Sequence, residues 1–240
     1  MNFDGTQTVA EIARQYPGAV AVFEALGIDY CCGGNRPLEQ ACAKENVSLN
    51  LVLSLLSSAL VTRPTGDDRH WMICPLTELS AYIVEHHHGY TRRELPRLAA
   101  LAAKVETRHG HMFPEVHQIR ELVDAMTSEM FTHMVKEEQA LFPRLKMVEA
   151  VGQSGPTRPP ASCDALINPI RHMMSDHDDT GQLLKTLRRL TRDYQPPENA
   201  CLSFQALYGG LEALEKDLRH HIHLENNVLF PRALALEQIH

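Results

Sequence analysis

The sequence predicts an all-α protein, an up-down four-helix bundle preceded by a small helical unit. Three observations carry this. No run shows the period-2 alternation of a strand. Apolar residues recur instead at helical spacing along four long segments, residues 76–108, 114–148, 169–192 and 200–236. Two short turn sequences, His109-Gly110-His111 and Gln195-Pro196-Pro197-Glu198, divide these segments into two hairpins.

The elements follow in chain order. Thr8 is placed to cap a helix carrying Val9, Ala10 and Ile12, and Pro17 opens a second through Val20, Val22, Phe23 and Leu26 to Gly27. The loop Asp29-Tyr30-Cys31-Cys32-Gly33-Gly34 comes next, then helical stretches over 38–44 and 49–60. These form an N-terminal helical unit, residues 1–62. The polar segment 63–75 is a linker, and the bundle occupies 76–240. Pro96 is expected to kink the first long helix, and residues 152–160, dense in Gly, Pro and Ser, join the two hairpins.

Composition sets the class of function. With 240 residues, 22% charged and 44% hydrophobic, the chain is long enough for a sizeable core and too apolar for disorder. A net charge of −7 with scattered Lys and Arg leaves no electrostatic footprint for nucleic acid. The N-terminus lacks the basic and apolar regions of a secretory signal, and the most apolar stretch, 49–61, is too short to span a membrane. A soluble, cytoplasmic protein is expected. Six cysteines without small-scaffold spacing read as reduced thiols, and a bridge between the adjacent Cys31 and Cys32 would be strained. Fourteen histidines beside one Trp invite a search for metal ligands.

An internal repeat directs that search. His133-Met134-Val135-Lys136-Glu137-Glu138-Gln139-Ala140-Leu141-Phe142-Pro143-Arg144 recurs 88 residues later as His221-Ile222-His223-Leu224-Glu225-Asn226-Asn227-Val228-Leu229-Phe230-Pro231-Arg232. Residues i and i+4 share a helix face, so His133 with Glu137, and His221 with Glu225, can reach one ion. Both pairs lie in core stripes: Leu207, Leu211, Leu214, Leu218, His221, Glu225 and Val228 on the last helix, and Ile119, Leu122, Met126, Met130, His133, Glu137 and Ala140 on the second. His88 and His177, 89 residues apart, occupy the first helix of each hairpin. The midpoints His88/His133 and His177/His221 fall beside the predicted turns, so antiparallel helices bring all four histidines to one level. By the same ruler His109 lies at the turn, about 31 Å along the helix from His88, and is a ligand only if that helix folds back after Pro96.

Six nitrogen and oxygen donors exceed one tetrahedral zinc site and suit a pair of iron or manganese ions. His88, His133, His177 and His221 would cap the ions in pairs while Glu137 and Glu225 bridge them, leaving room for an oxo or hydroxo bridge and an exogenous ligand. His86, His87, His220 and His223 read mostly as solvated neighbours, with one of them a candidate to back a ligand, and Cys42, Cys74, Cys163 and Cys201 as incidental. A helical bundle with adventitious metal is disfavoured by the core position of the donors.

At these residues the chain resembles the iron-sulfur cluster repair di-iron protein family (RIC; YtfE/ScdA/DnrN type). The likeness rests on Asp29-Tyr30-Cys31-Cys32-Gly33-Gly34, on His87-His88 with Glu94-Leu95-Pro96, on His133 to Pro143, on Ser175-Asp176-His177-Asp178 and on Leu224 to Arg232. Asp176 stands where relatives are expected to carry Glu. The resemblance implies a hemerythrin-like bundle holding two Fe ions, stress-induced repair of clusters in damaged iron-sulfur proteins by iron donation, and binding or reduction of NO. Under that reading Cys31 and Cys32 accept iron or nitrosyl, or exchange electrons, and Glu129, one turn before His133, either relays protons or joins a surface salt link. The alternative is a hemerythrin-like O2 or NO carrier or sensor without turnover, which has no need of the Cys31-Cys32 unit. A homodimer through that unit is compatible with the sequence.

Overall fold

The computed structural model describes residues 3–59, 71–153 and 166–239. The expected domain boundary at residue 62, most of the linker, the Ser154–Pro160 part of the inter-hairpin segment, His70 and Cys163 lie outside the described residues. Among the described residues there is no strand, only an isolated bridge between Thr8 and Pro37.

Four short helices make the N-terminal unit: α1 (Val9–Gln15), α2 (Gly18–Ala25), α3 (Leu38–Lys44) and α4 (Leu49–Ala59). Thr8 caps α1 in a capping box: its hydroxyl accepts from the Glu11 N–H, while the Glu11 carboxylate accepts from the Thr8 N–H. Gly27, at φ +69, closes α2 because the Ile28 N–H must turn back to the Phe23 carbonyl, a left-handed geometry that other residues adopt at a cost. The core of this unit, built on Phe23, Ile28, Tyr30 and Leu38, also takes in Ile222 from the bundle.

Each long helix of the bundle is read as one rod. α5 comprises Leu76–Tyr82, the π-turn Ile83–His88 and Gly89–His109; α6 comprises Glu115–Lys136, the π-turn Glu137–Leu141 and Phe142–Gln153; α7 is Ile167–Leu190; α8 comprises Leu202–His223, the π-turn Leu224–Leu229 and Phe230–Ile239. α5 lies against α6 and α8, and α6 against α7. Helical structure runs through Pro96 without a break.

Two π-turns have a cause in the repeat. Pro143 and Pro231 lack the N–H that an α-helix would use there, and each ring would press on the carbonyl four residues back. Widening the preceding turn relieves this, and the N–H groups of Phe142 and Phe230 reach back five residues, to the carbonyls of Glu137 and Glu225. The extra residue shifts the register: after Glu137 the buried position is Leu141, and Ala140, expected in the core stripe, is exposed. The other seam positions are buried, apart from the half-buried Leu122.

The 88-residue repeat extends beyond its visible motif. Glu149 of α6 accepts from the backbone N–H groups of Leu76 and Thr77 at the start of α5, and Glu237 of α8 accepts from the Leu166 N–H at the start of α7. In each hairpin the second helix therefore supplies an acidic cap to the first, where unpaired N–H groups and the helix dipole favour negative charge. Two apolar clusters fill the bundle, one around Leu98, Met126 and Leu211, the other around Leu79, Leu145 and Leu229. Between them lies a single polar layer.

Candidate metal centre

The layer is formed by His88 from α5, His133 and Glu137 from α6, His177 from α7, and His221 and Glu225 from α8. All six are buried, and Glu137 and Glu225 are 0% exposed. Their inward atoms form two four-donor groups, His88/Glu137/His221/Glu225 and His133/Glu137/His177/Glu225, each with its ligand atoms within 4.8 Å of one another. Each group thus pairs histidines from different hairpins. Both carboxylates serve both groups: Glu137 sets Oε2 3.2 Å from His88 Nε2 and Oε1 3.1 Å from His133 Nε2, while Glu225 sets Oε2 3.1 Å from His177 Nε2 and Oε1 3.2 Å from His221 Nε2. Donors bound about 2.1 Å from one ion at right angles stand about 3.0 Å apart, so the spacing matches the edges of two coordination polyhedra sharing two carboxylates.

Hydrogen bonding outside the layer fixes which ring nitrogen faces inward. His88 Nδ1 donates to Glu138 (2.6 Å), His177 Nδ1 to the Asn226 side-chain oxygen (2.8 Å) and His133 Nδ1 to Asp176 (3.3 Å). Those acceptors require Nδ1–H, which leaves Nε2 as a lone pair. Yet Nε2 of His88 stands 3.2 Å from Nε2 of His221, and Nε2 of His133 stands 3.1 Å from Nε2 of His177. None of the four carboxylate oxygens has a hydrogen-bond partner. Converging lone pairs around buried, unsatisfied anions are costly without positive charge between them.

A third buried carboxylate shows how the chain answers negative charge with its own groups. Glu215, on α8, receives Arg188 at 3.0 Å, Arg219 at 2.7 Å and the Tyr194 hydroxyl at 2.5 Å. No Arg or Lys reaches Glu137 or Glu225 among the described residues. Protons on imidazole can answer part of that charge. Burial disfavours a charged His133, but Glu137, Glu225 and Asp176 outweigh it and push its pKa up to about 9; against the same burial, Glu137, Glu225 and Glu138 raise the pKa of His88. Burial, by contrast, depresses His221. Burial also opposes ionisation of Glu225, yet His221 and His177 hold its pKa well below the usual carboxylate range. The donor set fits a pair of divalent or trivalent cations.

The outer partners follow the repeat. Glu138 and Asn226 each come directly after the shared glutamate of their copy and hold the first-helix histidine of their own hairpin. Phe142 and Phe230 likewise stack on those histidines, both at 6.0 Å between centroids. The repeat therefore held the signal for Glu138 and Asn226, which the sequence reading passed over. Two expected bystanders are also placed differently. His87 and His223 are buried, not solvated: His87 donates to Asp217 and stacks on His221 at 5.5 Å, and His223 pairs with Asn227. His109 lies away from the layer, with Nε2 3.2 Å from Cys201 Sγ.

Cys31 and Cys32 are free thiols docked against the bundle. Asn226 joins the two regions, accepting from the His177 ring and donating to the Cys31 carbonyl at 3.0 Å, while Asn227 donates to the Tyr30 carbonyl at 2.9 Å. The hydrogen bond to Cys32, burial and the charge of Asp29 push the Cys31 thiol up. Glu129 stands exposed on the wall of a solvent-open groove of about 580 Å³, with Lys136, Asp176, Thr180 and the edge of His133.

Comparison with known proteins agrees with this geometry. Residues 79–233 match the family model described as the hemerythrin HHE cation binding domain, and residues 5–60 match ScdA_N, a domain of unknown function. The chain belongs to the hemerythrin HHE family. Within that family it is similar over nearly its whole length to repair proteins. A probable iron-sulfur cluster repair protein of Haemophilus influenzae is 35% identical over 228 residues, 95% of this chain and 96% of that protein. The iron-sulfur cluster repair protein YtfE of Salmonella typhimurium is 36% identical over 231 residues, 96% of this chain and 98% of that protein. No helix among the described residues is long and apolar enough to cross a membrane.

Proposed function

We propose that this chain repairs iron-sulfur clusters damaged by nitrosative or oxidative stress, donating iron from a two-iron centre to damaged iron-sulfur proteins in the cytoplasm. Four buried imidazoles converging on two shared carboxylates that no Arg or Lys reaches among the described residues carry the reading. His88 and His221 would hold one ion, His133 and His177 the other, with Glu137 and Glu225 spanning both. Iron at that position supplies one-electron chemistry and an open position for NO or O2. The chain's own residues orient the rings through Glu138, Asp176 and Asn226, and Glu129 relays protons along the groove beside His133. The similarity to proteins named for cluster repair, together with the docked Cys31-Cys32 loop, favours repair over a carrier or sensor.

The test is anaerobic iron loading with metal quantification and Mössbauer spectroscopy, followed by incubation with an apo iron-sulfur protein. About two irons per chain in a coupled pair, lost as the recipient gains its cluster, is the expected result. About one iron per chain, tetrahedral zinc, or rapid reversible O2 uptake without iron release would overturn it.

A further inference from the structure

A second group of metal-type donors lies outside the six-residue layer. The Asp29 carboxylate and the Cys31 and Cys32 thiols each offer one atom, and these three atoms lie within 4.8 Å of one another. The two sulfurs are 3.6 Å apart, and Cys31 Sγ is 3.6 Å from Asp29 Oδ1.

The loop is held in place from several sides. Asp29 Oδ1 accepts from the backbone N–H groups of Cys32 and Gly33, both at 3.1 Å, and Oδ2 accepts from Lys185 of α7 at 2.9 Å. The carbonyls of Tyr30 and Cys31 accept from Asn227 and Asn226. Cys32 Sγ lies 3.3 Å from the His177 carbonyl, in space left by Gly181, where a Cβ would stand only 3.1 Å from the sulfur. Positive charge surrounds the trio: Lys185 is bonded to Asp29, and the largely buried Arg219 acts on both Cys31 and Asp29.

We propose that Asp29, Cys31 and Cys32 form a separate metal site, two thiolates and one carboxylate taking a single borderline-soft divalent ion such as Fe²⁺, set against the His177 side of the bundle layer. Soft thiolates select such ions over Mg²⁺ or Ca²⁺. Binding is an acid-base exchange without electron transfer: two S–H bonds break, two S–metal bonds form and two protons leave to solvent. The resulting single net negative charge faces Lys185 and Arg219. Asn226 links the His177 ring directly to this loop, and Cys32 Sγ touches the His177 carbonyl, so the thiols stand on the His177 side of the layer. As a relay for departing iron the site rests on the repair reading; as a metal site it does not.

Cobalt(II) titration of the reduced full-length chain separates these. Nitrogen and oxygen donors in the layer give no thiolate charge-transfer band, so the near-ultraviolet band is expected only with the last of about three equivalents. The Cys31→Ser/Cys32→Ser protein should lose that band and that equivalent while keeping the other two. Asp29→Asn should weaken the last equivalent tenfold or more. Because Asp29→Asn also loosens the loop, Glu225→Gln serves as the independent arm: it should lose the layer ions and retain the thiolate band. Saturation without a thiolate band, or a band that disappears in Glu225→Gln, overturns the proposal. A thiolate band with no metal in the parent's layer would instead sink the two-iron reading and leave this site standing.

Discussion

The shared carboxylates make a prediction about a single atom group. In Glu225→Gln the side chain keeps its shape but loses its charge, and because Glu225 contributes to both four-donor groups, both ions should be lost. His221→Ala touches only the group containing His88, leaving His133, His177, Glu137 and Glu225 to retain about one ion. The effect on stability should depend on metal. With free metal at about 100 times the dissociation constant, binding stabilises the native state by about 2.7 kcal/mol per site. For a chain of this size that is roughly 5–10 °C in Tm per site, and Glu225→Gln, which loses both sites, should forfeit about twice that. Without metal a smaller loss remains, because His177 and His221 hold the Glu225 pKa low and so favour its charge in the fold. Calorimetry with and without iron, beside metal analysis, reads both effects. A Glu225→Gln protein whose deficit against the parent is no larger with iron than without it would refute the argument, since the carboxylate would then hold no metal.

Other perturbations probe the surroundings. Asn226→Ala removes the acceptor for His177 and the donor to Cys31, so iron affinity should fall about 10- to 100-fold by chelator competition; Asn227→Ala, which loosens the same loop without touching a ligand ring, should leave affinity within about twofold. The raised pKa of His133, about 9 in the fold, makes metal and protons competitors: iron affinity should climb as pH rises toward that value. The stability that protonated His133 gives the metal-free protein is fully present below about pH 6.5 and lost as pH rises through about 9, so its Tm should decline over that window. Glu129→Gln should leave iron content unchanged and slow only proton-coupled steps, because Glu129 lines the groove and is exposed; lost iron would make it structural.

Much of the bundle was legible because its cause is local. The 3.6-residue period of α5 to α8, Thr8 as a cap and Gly27 as a terminator are each set by nearby residues. The π-turns were not read, although Pro143 and Pro231 signalled them: a proline inside a continuing helix must be accommodated, and the extra residue moved Leu141 into the position assigned to Ala140. The burial of His87 and His223 was hidden for a different reason. His223 is covered by Tyr30 of the N-terminal unit, whose ring meets it at 5.4 Å, and His87 by Asp217 and His221 of α8; no period in the sequence encodes that docking.

Position in a core stripe shows that a carboxylate is buried, not what neutralises it. Glu215, Glu225 and Glu137 are all 0% exposed. Arg219 reaches Glu215 from one turn away on the same helix, and Arg188 and Tyr194 converge on it from the end of α7 and the turn that follows. Around Glu137 and Glu225 every approaching group is an imidazole, and three of the four, His88, His133 and His177, are turned by Glu138, Asp176 and Asn226 beyond the ring. Two carboxylates equally deep in one helix thus have opposite meanings. One is matched by the fold itself and adds structure; the other stays unmatched until a cation arrives, and the repeated His-x-x-x-Glu spacing distinguishes them because it places ring and carboxylate on one face twice.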